Sequence, residues 1–172
     1  MKLLDWLKSI FLTQKAIKVP AEQPVVAVAE SAPAIEFDED IDIMARTIWG
    51  ESRGEGYQGM QAVACVIMNR YKENIWYSKI GNNHSIKSVC LKKAQFSCWN
   101  EDDRNSSMCK AVTESNKEFK VALEIAKSAK SGELQDFTGG ANHYFADYIE
   151  KPSWAKDMQF CITIGHHNFY KG

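Results

Sequence analysis

The stretch 44–56, M-A-R-T-I-W-G-E-S-R-G-E-G, constrains the fold more than any other part of the chain. Apolar side chains lead into it at helical spacing and form one stripe, at Ile41, Met44, Ala45, Ile48 and Trp49. Three glycines follow, which predicts that this helix ends and a turn begins near Gly50. Glu51 is therefore expected where a buried helix meets a turn, an address that suits a carboxyl group acting as an acid. The alternative is a solvated helix-end glutamate with Arg53 as its ion-pair partner.

Four blocks of sequence occur in an order that is typical of a known family. The first is A-R-T-I-W-G-E-S-R-G-E-G, followed by Q-A-V-A-C-V-I-M-N-R-Y. The others are Q-F-S-C-W-N at 95–100, T-G-G-A-N-H-Y-F at 138–145 and I-G-H-H-N-F-Y at 164–170. Over residues 41–170 the chain resembles the SleB-type cell wall hydrolases, which include the spore-cortex-lytic enzymes, and a phage-type member is one form it could take. The resemblance implies a peptidoglycan glycosidase with a lysozyme-like catalytic domain, and it maps the family's essential glutamate onto Glu51.

Composition sets limits on partners. The chain has 172 residues, of which 45% are hydrophobic and 25% charged, as in ordinary globular domains. The net charge of -1 provides no basic excess, so we predict no nucleic-acid partner. Because peptidoglycan is polyanionic, the same balance predicts little long-range steering toward the wall. We expect a monomer that binds glycan strands in its own groove.

Two segments precede the predicted catalytic domain at 37–172. Residues 1–19 combine apolar residues at helical spacing with lysines, and are too short and too charged to span a bilayer. Three interpretations stay open for them: peripheral docking on a membrane or virion, an unusual export signal, or a helix that packs on its own domain. Residues 20–36 contain three of the four prolines, which predicts an extended linker.

The pattern downstream predicts helices first and a small antiparallel sheet late, an α+β fold. A second amphipathic helix is expected to end near Lys72, with Asn69 and Arg70 on its other face. A short helix is expected over 85–91 and a polar loop over 100–107.

The rest of the chain supplies a third helical region and the sheet. The helical region is predicted at 108–131, with a break near Ser115 where Ser115 and Glu118 form a possible capping box. A strand at 142–146 and a hairpin at 160–170 complete the predicted fold.

Cleavage of a glycosidic bond needs an acid, and many glycosidases add a second carboxylate across the site. Glu55, four residues after Glu51, is the main candidate for a second carboxylate, and a turn residue that caps backbone amides is its alternative role. Asp102, Asp103 and Asp147 are weaker candidates. The family is described with one essential glutamate, which implies lytic transglycosylation: the muramyl C6 hydroxyl attacks C1, and Glu51 acts first as acid and then as base.

Sugar sites combine flat apolar rings with short polar groups. The block at 95–100 offers both, although Phe96 reads better as a core residue. On the strand at 142–146, alternation places Asn142 and Tyr144 on one face and His143 on the other, and the resemblance favours Tyr144 as a groove residue. The predicted substrate-binding residues are Glu55, Ser97, Trp99, Asn100, Asn142 and Tyr144.

Histidines and cysteines raise two further possibilities. His143, His166 and His167 invite a zinc site, but alternation sends His166 and His167 to opposite faces and zinc sites take three or four ligands. We therefore expect no metal or cofactor, with a zinc-dependent wall hydrolase as a remaining alternative.

Cys65 and Cys161 read as small buried hydrophobes. A disulfide is possible within the set Cys90, Cys98 and Cys109 if the protein works outside the cytoplasm.

The predicted function is a muramidase or lytic transglycosylase that cleaves the bond between N-acetylmuramic acid and N-acetylglucosamine. It would act at the cell wall, in the periplasm, outside the cell or after delivery by a phage. The alternative from another class is a noncatalytic peptidoglycan-binding or structural virion module.

Overall fold

The computed structural model describes residues 37–75, 77–78 and 84–172, so the predictions for 1–19 and 20–36 lie outside the described residues. Helices come first and strands last, in the order α1 (Glu39–Ser52), α2 (Gly56–Lys72), α3 (Ile86–Cys90), α4 (Asn105–Ala111), α5 (Lys117–Ser131), β1 (His143–Ala146), β2 (Gln159–Ile164) and β3 (His167–Lys171). Two 3₁₀ turns, Ser97–Trp99 and Ser153–Lys156, lie in the connections. The predicted α+β class is confirmed.

Helix α1 is the central helix of the core. Its first turn is capped by the Asp38 carboxylate, which accepts hydrogen bonds from the backbone N–H groups of Asp40 and Ile41 at 3.1 and 3.2 Å. Its apolar stripe is buried against α2, α3 and α5. A stripe of this kind, rather than intrinsic propensity, provides most of the stability of a helix in a folded domain.

Helix α1 continues two residues past Gly50, to Ser52, so it ends near the predicted place but Gly50 itself does not end it. Gly50 has a packing role instead. A Cβ atom there would lie 2.6 Å from the Cys98 Cβ and 2.9 Å from the Cys109 Sγ. Only a glycine lets α1 approach the 3₁₀ turn and α4 this closely. The left-handed backbone comes later, at Gly56 with φ +70°.

Helix α2 has the predicted end but not the predicted exposed face. Asn69 and Arg70 are both buried, because the sheet and the loop before it cover that side of the helix. The Asn69 side chain donates to the Ala141 carbonyl at 2.9 Å, and the Arg70 Nε donates to the Asn142 carbonyl at 2.7 Å. Helix α2 thus lies between the helical core and the segment that leads into β1.

The middle of the chain differs from its predicted boundaries. Helix α4 begins at Asn105, inside the stretch predicted as loop. The predicted break near Ser115 is present, but the cap of α5 is the Asn116 side chain, which accepts from the Phe119 N–H at 2.9 Å. The Ser115 and Glu118 capping box is therefore a wrong prediction.

The sheet is antiparallel with strand order β1-β3-β2, which confirms the late hairpin. Tyr144 is paired with Phe169 in the register of β1 and β3. Phe169 is fully buried and packs with Ala62 and Val66 of α2, which fixes the sheet on that helix. None of the helices in the described residues combines the length and the hydropathy needed to cross a membrane.

Candidate active site

The carboxylate of Glu51 is held by groups from two other parts of the chain. Its Oε1 accepts a hydrogen bond from the Cys98 backbone N–H at 2.9 Å, and the Ser97 hydroxyl lies 3.5 Å from the same atom. Its Oε2 accepts from the Tyr144 hydroxyl at 2.8 Å. With a donor on each oxygen, the carboxylate has a fixed orientation in the last turn of α1. The structure thus brings together Glu51, Ser97 and Tyr144, all three predicted as site residues.

Tyr144 is a donor that stays protonated. Burial, followed by the nearby negative charge of Glu51, raises the pKa of Tyr144 well above its usual range. The ring is positioned by β1 and contacts Phe169 and His167, with centroid distances of 5.6 and 5.0 Å. A phenol held in this way donates to the carboxylate across the neutral pH range.

The ion pair between Glu51 and Arg53, which was the alternative prediction for Glu51, is not formed. The Arg53 guanidinium lies over the Trp49 ring at 4.4 Å and donates to the Asn105 side chain at 2.7 Å. It also donates to the Gly50 carbonyl at 3.2 Å, which satisfies one of the last carbonyls of α1. Arg53 therefore joins α1 to α4 and leaves the Glu51 carboxylate to its other donors.

Arg70 is a site residue that the sequence interpretation missed. It is buried, lies over the Phe96 ring at 4.9 Å, and its charge interacts with both Tyr144 and Glu51. Burial lowers the pKa of Arg70, yet a guanidinium does not lose its proton in proteins, so it places a positive charge behind the site. The available signal was its spacing, since Arg70 follows Ala62 and Val66 at helical intervals, and these two residues form the second buried side of α2 under the sheet.

His167 is a second neighbour that was not predicted as a site residue. It is buried beside the Tyr144 ring, and its Nδ1 has no hydrogen-bond partner in the described part of the chain. Burial lowers the pKa of His167, against the opposing charges of Glu55 and Glu51. The ring is therefore neutral at pH 7.

Glu55 binds the backbone of the hairpin turn. Its Oε2 accepts from the His166 N–H at 2.7 Å, and a side chain at Gly165 would collide with the same carboxylate. Gly165 has φ +55°, so the turn needs glycine for its backbone as well as for this contact. This arrangement matches the alternative role for Glu55, a carboxylate that satisfies backbone amides.

The 3₁₀ turn Ser97–Trp99 has two sides. On one side lie the Ser97 hydroxyl and the Cys98 N–H that face Glu51. On the other, half-buried Trp99 donates from its Nε1 to the Thr47 hydroxyl at 2.9 Å. Trp99 and Asn100 also line an open cavity of about 770 Å³, whose other lining residues are Leu91, Lys92, Lys93, Ala94, Glu101 and Asp102.

Asn142 does not fit its predicted substrate-binding role. It is fully buried, and its Nδ2 donates to the Glu73 carboxylate at 2.9 Å and to the Gly172 carbonyl at 2.8 Å. It lies just before β1, so its side chain closes the domain between α2 and the end of β3. A side chain with no exposed surface and all its bonds made inside the protein is structural.

Three of the remaining candidates, Asp103, Asp147 and His166, have local partners. Asp103 accepts from the Asn105 N–H at 2.7 Å, and the exposed His166 ring lies 3.3 Å from the Asp147 carboxylate. Across the described ranges, no group of three or more His, Cys, Asp or Glu side chains is arranged to hold a metal ion.

Comparisons with known proteins agree on one family. The model of the family described as Cell Wall Hydrolase matches residues 54–170. The spore cortex-lytic enzyme of Bacillus cereus is 61% identical over 134 residues, which cover 77% of this chain and 44% of that protein. The spore cortex-lytic enzyme of Halalkalibacterium halodurans is 29% identical over 143 residues, which cover 82% of this chain and 37% of that protein. The chain thus spans less than half the length of these curated relatives.

A solved structure has the same fold. The catalytic domain of the germination-specific lytic transglycosylase SleB from Bacillus anthracis superposes with a TM-score of 0.58 and 28% identity, covering 80% of this chain and 99% of that domain. The family match begins just after Glu51, and the geometry described above joins that glutamate to two residues inside the matched segment. The described residues match the fold of the SleB catalytic domain, and the chain belongs to the cell wall hydrolase family.

Proposed function

We propose that this chain is a peptidoglycan-degrading glycosidase that cleaves the bond between N-acetylmuramic acid and N-acetylglucosamine, with Glu51 as its single acid and base. The observation that carries the proposal is the pair of donors on the Glu51 carboxylate, the Cys98 N–H and the Tyr144 hydroxyl. The printed names of its relatives, a spore cortex-lytic enzyme and a lytic transglycosylase, support the same substrate and reaction.

In the first step, protonated Glu51 gives its proton to the glycosidic oxygen as the bond to C1 breaks. The carboxylate that remains keeps the hydrogen bonds from Cys98 and Tyr144, which stabilise the charge it has just acquired. The buried Arg70 guanidinium adds a fixed positive charge on the protein side. In the second step, Glu51 takes the proton from the attacking hydroxyl group.

The identity of that attacking hydroxyl depends on the number of carboxylates in the site. A hydrolase with two working carboxylates places them about 5–5.5 Å apart for retention or about 6.5–9.5 Å apart for inversion. Glu55, the main candidate for a partner, binds the His166 backbone instead. A single glutamate favours internal attack by the muramyl C6 hydroxyl, with the N-acetyl group of the substrate stabilising C1. We therefore infer lytic transglycosylation.

The substrate-binding residues in this proposal are Ser97, Trp99 and Asn100, together with Tyr144. Trp99 and Asn100 combine an aromatic ring with a short amide, a pairing that suits a pyranose ring. The cavity that they line contains Lys92 and Lys93 together with Glu101 and Asp102, so its lining does not favour ligands of one charge. In this proposal the protein acts at the cell wall.

A noncatalytic peptidoglycan-binding module is the competing function, and one digestion separates the two. Purified protein is incubated with isolated peptidoglycan, and the soluble muropeptides are weighed by mass spectrometry. We expect anhydromuropeptides, each lighter by one water than the hydrolytic product. Glu51→Gln should lower their release by about 10²–10⁴-fold with the fold intact, because a glutamine has no proton to transfer.

The matched control for that experiment is Glu55→Gln, four positions away and equally isosteric. It should weaken the hairpin turn and keep most of the lytic activity. Products with chiefly reducing ends would contradict the single-glutamate mechanism and make Glu55 the partner to test. Near-normal lysis by the Glu51→Gln protein would overturn the assignment of the acid.

A further inference from the structure

Two buried thiols meet behind the proposed catalytic residue. Cys98 lies in the 3₁₀ turn and Cys109 on α4, and neither is exposed at all. Both sulfur atoms lie within 3.0 Å of the point where a Cβ atom of Gly50 would stand. The Cys109 thiol donates to the Arg46 carbonyl at 2.9 Å. Two side chains eleven positions apart in the sequence thus bring their sulfurs to the same point in the core, beside Gly50.

The other three cysteines, all within the described ranges, have other partners. The Cys65 thiol faces the Gln135 carbonyl at 3.9 Å, and the Cys161 thiol faces the Gln159 carbonyl at 3.6 Å. Cys90 is buried in the helical core beside Thr47. Among the described cysteines, Cys98 and Cys109 are therefore the pair whose sulfurs both lie beside Gly50.

We propose that Cys98 and Cys109 are joined by a disulfide bond, formed by exchange with a disulfide oxidant as the chain folds outside the cytoplasm. One cysteine thiolate attacks the oxidant and releases one of its thiols, leaving a mixed disulfide. The second cysteine thiolate attacks the sulfur of the first cysteine in this mixed disulfide. The disulfide within the protein forms, and the remaining thiol of the oxidant leaves. The two protein thiols are oxidised, the oxidant is reduced to two thiols, and the two protons pass to them.

Burial decides when this bond can form. Both sulfurs are inaccessible once the domain is folded, so the exchange belongs to folding, and the finished bond is then shielded from reductants.

The bond would act on the site through one residue. Cys98 carries the backbone N–H that binds Glu51, and its sulfur would tie the same residue to α4. The polar segment between Asn100 and Asn105 would become a closed loop. The disulfide would therefore fix the donor on Glu51 from the side opposite to Tyr144.

The experiment refolds the reduced, denatured full chain in parallel with oxidised glutathione and with a thiol reductant. Remaining thiols are alkylated in denaturant and counted by mass, and the linked peptides are mapped. After oxidation we expect two of the five cysteines to resist alkylation and to map as Cys98 linked to Cys109. The oxidised protein should melt about 5–10 °C above the reduced protein, because a disulfide of this loop length stabilises a domain of this size by that order.

Three variants make the pairing testable. Cys161→Ser and Cys90→Ala should both keep the protected pair, whereas Cys109→Ser should leave no pair protected. Full alkylation of the oxidised wild type, or a map that links Cys90, would overturn the proposal. The choice of compartment rests on the proposed function, but the thiol count uses no peptidoglycan, so a failure of one does not imply a failure of the other.

Discussion

The two donors on Glu51 are of different kinds, and this matters for how each can be tested. The Cys98 donor is a backbone amide, which no substitution except proline removes. The Tyr144 donor is a phenol on β1, which phenylalanine removes while the ring stays in place. Tyr144 is therefore the residue through which the orientation of the glutamate can be changed without rebuilding the backbone.

We predict that Tyr144→Phe lowers kcat/KM on peptidoglycan by about tenfold or more, since a hydrogen bond to a charged group contributes roughly 1.5–3 kcal/mol. The melting temperature should change little, because the ring contacts with His167 and Phe169 are retained. Tyr148→Phe, at an exposed position, is the matched control and should keep full activity. Equal activity of the two variants would show that the Tyr144 hydroxyl is not needed.

Individual residues also show where sequence reasoning stops. Glu51 could be singled out because the helical stripe and the glycines are local signals. Its donors could not be derived from local signals, because they lie 47 and 93 positions away; the resemblance pointed to Tyr144, and the Cys98 N–H was not predicted. Asn142 was misread because alternation says which way a side chain points but not what covers it, and here the Gly172 carbonyl does.

At the level of elements, α1 and the 3₁₀ turn Ser97–Trp99 are packed so closely that no side chain fits between them at Gly50. Gly50 allows the contact, and Arg53 and Asn105 strengthen it on the adjacent face. The same contact carries the Cys98 N–H to Glu51. Packing and the orientation of the carboxylate therefore depend on one glycine.

We predict that Gly50→Ala destabilises the domain by about 1–3 kcal/mol, the usual cost of an extra methyl group in a filled core, and lowers activity by displacing the turn. Gly54→Ala is the matched control, since nothing lies within 4 Å of a Cβ atom there. It should change stability by less than about 0.5 kcal/mol. Denaturant unfolding of both variants checks this, and equal stabilities would contradict the packing role of Gly50.

The sheet carries two histidines whose titration affects stability. Burial lowers the pKa of His143 and of His167 in the folded state. The unfolded chain, with histidines near their usual pKa of about 6.5, binds more protons than the folded chain below that pH, so folding should weaken as the pH falls through this range.

We therefore predict that the unfolding free energy decreases from pH 7.5 to pH 5.5, by up to about 1.4 kcal/mol per pH unit for each histidine. His167→Gln should have a smaller decrease, since it retains only the His143 contribution. Urea unfolding at the two pH values measures this difference. A slope unchanged by the substitution would show that His167 does not titrate in this window.

The boundaries of elements were predictable where apolar periodicity was strong and failed where a distant side chain sets the structure. Helices α1 and α2 and the hairpin follow their patterns. Helix α4 has a polar N-S-S start that reads as loop. Its C-terminal carbonyls at Cys109 and Lys110, and that of Val112, accept hydrogen bonds from the Arg46 guanidinium at 2.9, 3.1 and 3.1 Å. Because this cap comes from a residue of α1, the sequence of α4 and its flanking residues does not predict it.

For the molecule as a whole, the described residues contain three clusters of buried apolar side chains. The helical core, the cluster under the sheet and the aromatic cluster at Phe145, Ala155 and Tyr170 all lie between residues 37 and 172. The sequence of 20–36, with its prolines, has the pattern of a linker rather than of a core segment. The domain boundary near residue 37 remains a prediction.

We predict that deletion of residues 1–34 leaves a folded domain that digests isolated peptidoglycan at the rate of the full chain. Association with membranes or particles, if residues 1–19 direct it, should be lost in the same variant. Circular dichroism and digestion rates on both proteins check the first part, and co-sedimentation with vesicles checks the second. An unfolded product would show that residues 1–19 pack on the domain.

The strand order of the sheet has a consequence for when the protein becomes able to cut. Tyr144 reaches Glu51 only from β1, and β1 pairs with β3, which runs to Lys171. A chain still being synthesised therefore holds its glutamate long before it holds the phenol that orients it. On the role proposed for Tyr144, a copy that stops before β3 lacks the strand that holds this phenol against Glu51, so we expect it to release far fewer muropeptides than the full chain.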